Sequence, residues 1–191
     1  AIVGPVGSGK TTLLSLLARL YRPQAGTIFY KGIPLESWSE LTFAQSVSMV
    51  TQDPFLFGES ILDNLSLNDQ VEPGGWSTFV EVAGLKQEIH ALPSREKTFL
   101  GERGITLSGG QRQRLTLARA LAMQPEVLIL DDAFSAVDVH KEKQILDSLQ
   151  SLNQHTLVLI AAHRLTTLQG VDRVIVLDQG QVVQDGSPAD L

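Results

Sequence analysis

The sequence predicts an α/β domain: a mainly parallel sheet flanked by helices, with a helical subdomain inserted into it. Three observations carry that expectation. A short apolar strand at residues 1–3 runs straight into a glycine-rich turn and then a helix. Apolar runs of strand length, at 127–130 and 156–161, are separated by a helical pattern, the arrangement of βαβ units. Between the first strands and these runs, residues 53–107 read as helix and loop, with Gly74, Gly75 and Pro93 as punctuation.

The elements follow in order. Leu13, Leu16, Leu17 and Leu20 form a stripe at helical spacing, so a helix begins near Lys10 and ends before Arg22-Pro23, where proline blocks continuation. Short strands are expected at 27–30 and 47–50. Residues 111–122 pattern as a helix that Gln124-Pro125 ends, and Ile145, Leu149 and Leu152 mark another. Residues 173–177 form a further strand, which Asp178-Gln179-Gly180 turns back into 181–184 as a hairpin. Parallel strands joined by helices imply a sheet covered on both faces.

The 191 residues suit one domain with a sizeable core. At 43% hydrophobic and 19% charged residues the composition is that of a globular chain. A net charge of −6 weighs against nucleic acid as the main partner. With no cysteine, disulfides and thiolate metal sites are excluded. No apolar run reaches the ~18 residues of a membrane helix. The absent initiator methionine and the abrupt start are expected of an N-terminally truncated piece of a longer polypeptide.

Gly4-Pro5-Val6-Gly7-Ser8-Gly9-Lys10-Thr11 is a complete phosphate-binding P-loop, set after a strand and opening a helix. Its glycines let backbone N–H groups curl round phosphates, and the helix N-terminus adds favourable partial charge. Lys10 is placed to reach the β- and γ-phosphates, and Thr11 to offer its hydroxyl to Mg²⁺; Thr12 follows in the same first turn. The fold class is thus that of a P-loop NTPase. Asp131 closes the buried strand 127–130, at the end where open α/β sheets bind ligands, and is placed to share that Mg²⁺.

Well after the P-loop comes Leu107-Ser108-Gly109-Gly110-Gln111. With both motifs in this order the chain resembles, over nearly its whole length, the nucleotide-binding domain of an exporter-type ABC transporter. The family signature is residues 107–111, unaltered. Gln52, in Thr51-Gln52-Asp53-Pro54, matches the family's glutamine that senses Mg²⁺ and the membrane domain. Residues 135–138, ending in Asp138, match its D-loop, and His163 matches its switch histidine. The resemblance implies that residues 1–191 are one ABC ATPase domain using ATP and Mg²⁺, with 53–107 as its helical subdomain. Two such domains sandwich two ATP molecules, each touching one P-loop and the other domain's Ser108, Gly109, Gly110 and Gln111. It further implies a transmembrane domain in the same polypeptide, a place on the cytoplasmic side of a cell or inner membrane, and an adenine-stacking aromatic upstream of Ala1. Gly101-Glu102-Arg103-Gly104 resembles the exporter loop that meets transmembrane helices, and Pro54-Phe55-Leu56-Phe57 suits a docking groove for them.

One position departs from the pattern. The catalytic glutamate should follow Asp131, but residue 132 is aspartate, shorter by one C–C bond, roughly 1.5 Å. Hydrolysis at this P-loop is therefore expected to be slow. An altered site beside an intact signature is what one subunit of a heterodimeric exporter carries; a homodimer in which Asp132 works as the base is the alternative. Soluble ABC ATPases of chromosomes carry a long coiled coil between Gln52 and Ser108 that this chain lacks, importer ATPases are separate polypeptides, and kinases or GTPases have no use for residues 107–111.

Overall fold

The computed structural model describes residues 1–24, 27–66, 75–152, 156–162, 164–168 and 170–190. Along them run β1 (Ile2–Val3), α1 (Lys10–Leu17), β2 (Phe29–Tyr30), β3 (Ile33–Pro34), α2 (Glu40–Ser46), β4 (Val47–Val50) and α3 (Ile61–Leu65). Then follow α4 (Trp76–Val82), α5 (Lys86–Ala91), α6 (Gly109–Ala122), β5 (Val127–Asp131), α7 (Val139–Leu152), β6 (Leu157–Ala161), β7 (Val174–Asp178) and β8 (Gln181–Gly186). Six strands make one sheet in the order β4-β5-β6-β1-β7-β8. β5 with β6, β6 with β1 and β1 with β7 are parallel, and β8 closes the edge antiparallel. The mainly parallel α/β class read from the sequence is the class observed.

The chain divides into two compact units, residues 1–49, 125–131 and 157–191 in one, residues 50–124 and 132–156 in the other. The first holds the sheet. Its core joins Ile2, Leu14, Ile129, Ala161 and Leu177, with Leu13, Leu17, Val47 and Met49 packed against it. β5 is an unbroken apolar run because its inner residues are shut off from water, with Leu128, Ile129 and Leu130 all fully buried. The turn between β7 and β8 places Gln179 at φ 49° and Gly180 at φ 77°, the two-residue hairpin expected there.

Three local features differ from expectation. α1 stops at Leu17, a turn short, because Arg19 enters the left-handed region (φ 59°) and the N–H groups of Leu20 and Tyr21 fold back onto the Ser15 carbonyl. Leu20, assigned by spacing to the apolar stripe, is exposed beyond the helix end. The strand expected at 27–30 is only Phe29–Tyr30, paired with Ile33–Pro34 round a Lys31-Gly32 turn in a separate two-stranded sheet. α2 went unanticipated, although Ser39 signals it: its hydroxyl accepts the Thr42 N–H at 3.1 Å, an N-cap.

The second unit is helical. α6 packs against α3 and α4, and α4 against α7. Leu115, Leu117 and Ala118 of α6, Ile61 and Leu65 of α3, Val80 of α4 and Ile145 of α7 are buried. Among the described residues no helix is long and apolar enough to cross a membrane.

Candidate active site

In the sheet unit, β1 delivers the chain into the loop 4–9, and α1 starts on Gly9 at φ 101° without any side-chain cap. Its first-turn N–H groups are consequently left to whatever the loop encloses. Gly4 is obligatory: at φ 153°, a Cβ there would lie 2.1 Å from the Leu177 carbonyl and 2.8 Å from Ser8 Oγ. Gly7, at φ 81°, has nothing within 4 Å of where its Cβ would be, so the cradle is open. Pro5 and Val6 form the exposed rim, and Thr12 is exposed in the first turn of α1.

Lys10 is buried, and its ammonium donates to the carbonyls of Gly4 at 2.8 Å and Pro5 at 3.0 Å. Two of its three protons are therefore spent on the loop. Ser8, only 2% exposed, has a hydroxyl with no partner among the described residues. A buried polar group without a partner costs roughly 1–3 kcal/mol. An open, glycine-lined turn, an unpartnered hydroxyl and a free helix N-terminus together fit a phosphate group.

From the end of β5, the buried Asp131 accepts the Thr11 hydroxyl at 3.2 Å between Oγ1 and Oδ1. A hydroxyl beside a carboxylate suits Mg²⁺, a hard cation that takes one or two protein oxygens and fills its shell with phosphate and water. Among the described residues there is no group of three or more His, Cys, Asp or Glu that could hold a metal by itself.

The helical unit carries the remaining expected residues. Ser108 is exposed and caps α6: its Oγ accepts the Gln111 N–H at 3.2 Å, while Gln111 Oε1 accepts the Ser108 N–H at 2.9 Å. The amide nitrogen of Gln111 is also engaged, donating to Glu88 at 2.8 Å. Gln111 is thus occupied inside its own unit at both ends, whereas the Ser108 hydroxyl keeps its proton to give. Gly110 sits tight on the following loop, since a Cβ would come 2.6 Å from the Ala136 carbonyl; one on Gly109 would meet Ala136 Cβ at 3.4 Å. Asp138 caps α7, Oδ1 accepting the Lys141 N–H at 2.9 Å. Asp132 adopts φ 49°, and its carbonyl accepts the Ser135 N–H at 3.2 Å. Gln52 is exposed. His163 lies outside the described residues.

Sequence reasoning missed Glu88, Arg114 and Gln113. Arg114, buried on α6, grips Glu88 with two nitrogens at 2.8 and 2.9 Å and donates to the Gly84 and Gly110 carbonyls. Lys141 of α7 joins the same carboxylate at 3.2 Å. A polar residue on the helix face that Leu117, Ala118 and Leu121 bury was the available signal. Burial alone would push the Glu88 carboxyl up, but the bonds from Arg114 and Gln111 outweigh it and bring the pKa from 4.5 down to about 2. With the folded value depressed, the stabilisation is complete above the unfolded value and fades as pH falls from 4.5 towards 2. Glu88→Gln is expected to lower stability at pH 7 by about 2 kcal/mol, a Tm loss of roughly 5 °C. In calorimetry that difference should shrink steadily below pH 4.5; a pH-independent gap would show that the charge is not what matters.

Near the same helix, Leu56 is buried while Phe55 and Phe57 face outward as an edge-to-face pair 5.1 Å apart. Arg119 holds the Phe55 carbonyl and lies over the Phe57 ring, and a Cβ on Gly104 would meet Leu56 Cδ1 at 2.9 Å. The two sequence segments expected to dock a partner therefore pack against one another.

Residues 1–135 match the family described as ABC transporter. The chain is 39% identical over its full length to an ATP-dependent lipid A-core flippase of Burkholderia thailandensis, covering 32% of that protein. It is 41% identical to the protein of that name from Alkalilimnicola ehrlichii, again over the full chain and 33% of the relative. A solved bacterial Atm1-family ABC exporter with ATP bound superposes with a TM-score of 0.93 at 35% identity, over 99% of this chain and 33% of that one. The chain thus spans about a third of the length of the relatives it matches. On its motifs, its fold and these likenesses, the chain belongs to the ABC transporter family, as an exporter-type nucleotide-binding ATPase domain.

Proposed function

We propose that this domain binds MgATP in loop 4–11 and closes on a second ABC domain, so that ATP binding and hydrolysis drive export through a transmembrane domain in the same polypeptide. The observation that carries the reading is the open loop with its unpartnered Ser8 hydroxyl beside the Thr11–Asp131 pair. Lys10 leaves the Gly4 and Pro5 carbonyls for the β- and γ-phosphates, with the N–H groups of residues 7–12 around them. Thr11 and Asp131 hold Mg²⁺, and Gln52 senses it. The ion supplies neutralisation of phosphate charge. Asp132 orients the attacking water and takes its proton, with reduced efficiency, and His163 contacts the γ-phosphate.

The exposed start of α6 is the surface offered to the neighbour's nucleotide. Ser108 gives its free proton, Gly109 and Gly110 allow backbone approach, and a 14-residue helix points its N-terminus at the γ-phosphate. Asp138 borders the same surface. The Phe55–Phe57 pair with loop 101–104, from the subdomain of residues 53–107, docks the membrane part, which positions the domain on the cytoplasmic side of a cell membrane. Nucleic acid is no partner in this reading. The second domain is a non-identical subunit whose competent site borrows the intact residues 107–111.

The test is ATP-dependent crosslinking in the full-length transporter. With Ser108→Cys facing a cysteine in the opposing phosphate loop, disulfide formation needs Cα atoms within about 7 Å. Yield should rise several-fold with MgATP over the nucleotide-free protein. Equal, background-level yield in both conditions would exclude the sandwich.

A further inference from the structure

One side chain of α6 has no role in that scheme, yet it joins three of its parts. Gln113 is 3% exposed. Its Nε2 donates to Ser135 Oγ at 2.7 Å and, at 3.4 Å, to the backbone carbonyl of Gln52. Its Oε1 accepts the Ala136 N–H at 2.9 Å. The amide orientation is set by this pattern, because a flip would put its oxygen against a carbonyl and its NH₂ against an N–H. A buried amide with all these groups engaged is rigid, and each would be expensive to leave unpaired.

We infer that Gln113 is a positioning residue that locks the Gln52 loop and the 135–138 loop to the helix presenting Ser108, so that the two nucleotide sites respond together. The inference rests on the proposed function. Gln52 and Asp132 serve the domain's own nucleotide, and Asp132 is tied into the 135–138 loop through its carbonyl bond to Ser135. Ser108, Gly109 and Gly110 serve the neighbour's. Gln113 stands five residues beyond Ser108 on the same helix. One turn earlier, Gly110 already rests so closely on Ala136 that even a methyl group would collide. Gln113 adds the directional bonds that this packing lacks. A shift of the Gln52 backbone is carried through a single amide to the 135–138 loop and to α6, with no flexible link between.

The test uses the full-length transporter with its partner in lipid, comparing Gln113→Leu, Ser135→Ala and the double variant. Gln113→Leu keeps the side chain's bulk and removes every hydrogen bond; Ser135→Ala removes the shortest of them from the exposed side, where folding is little disturbed. A misplacement of about 1 Å at the reacting groups can cost ~10²-fold. Gln113→Leu should lower kcat about tenfold or more, with KM for ATP within twofold of the parent. Ser135→Ala should lower kcat in the same sense, and the double variant should be no slower than Gln113→Leu alone, as for two halves of one contact. Should Gln113→Leu not fold, Ser135→Ala decides by itself: a kcat equal to the parent's overturns the inference. So does a multiplicative double variant, or kcat and KM that change together. Failure here is separable from failure of the proposed function, because the unsubstituted transporter must first show MgATP hydrolysis and the MgATP-dependent Ser108 crosslink.

Discussion

Lys10→Met is expected to abolish nucleotide binding, weakening ATP affinity at this loop by at least ~100-fold. The ammonium is the one full positive charge inside the loop, and it already sits among acceptors, at 2.8 Å from Gly4 and 3.0 Å from Pro5. Hydrogen bonds to a charged group contribute roughly 1.5–3 kcal/mol each, and two phosphate oxygens replace two carbonyls. Methionine retains the buried stem and deletes only the charge. Because the ammonium also braces the loop, a modest loss of thermal stability should accompany the effect. Equilibrium binding of a fluorescent ATP analogue, with Tm recorded alongside, separates the two. Retained affinity with a normal Tm would remove the loop from nucleotide recognition.

Asp132→Glu is expected to raise ATP turnover at this site by about 10²-fold. The added methylene restores roughly the 1.5 Å by which aspartate falls short, and a shortfall near 1 Å carries a penalty of about that size. The backbone acts against the gain. At φ 49°, residue 132 occupies the left-handed region, which aspartate tolerates better than most side chains, so glutamate should lower stability by about 1 kcal/mol. A faster but slightly less stable variant is therefore the signature to look for in single-turnover hydrolysis. Turnover unchanged by the substitution would favour a homodimer with Asp132 as a working base.

The phosphate loop was legible because its chemistry is local. Each of residues 4–11 contributes a backbone freedom, an N–H, an ammonium or a hydroxyl on its own account, and the strand before and helix after are contiguous with it. Asp131 was legible for a related reason, as the polar end of a run whose apolar character had to be buried. Element ends were harder. The reversals at Arg19 and Lys31 depend on left-handed residues other than glycine, which carry weak sequence signals.

The amino-acid order alone determined the mainly parallel sheet, the motif residues of the candidate site, and the aspartate at 132. Only the folded chain decided what holds the second half of the machinery in place. Gln111 turned out to be tied to Glu88, and Gln113 to Gln52, Ser135 and Ala136, over separations of up to 61 residues. The physical reason is that a buried amide takes its role from whichever donors and acceptors packing brings to it, and those partners share neither helix face nor spacing with it.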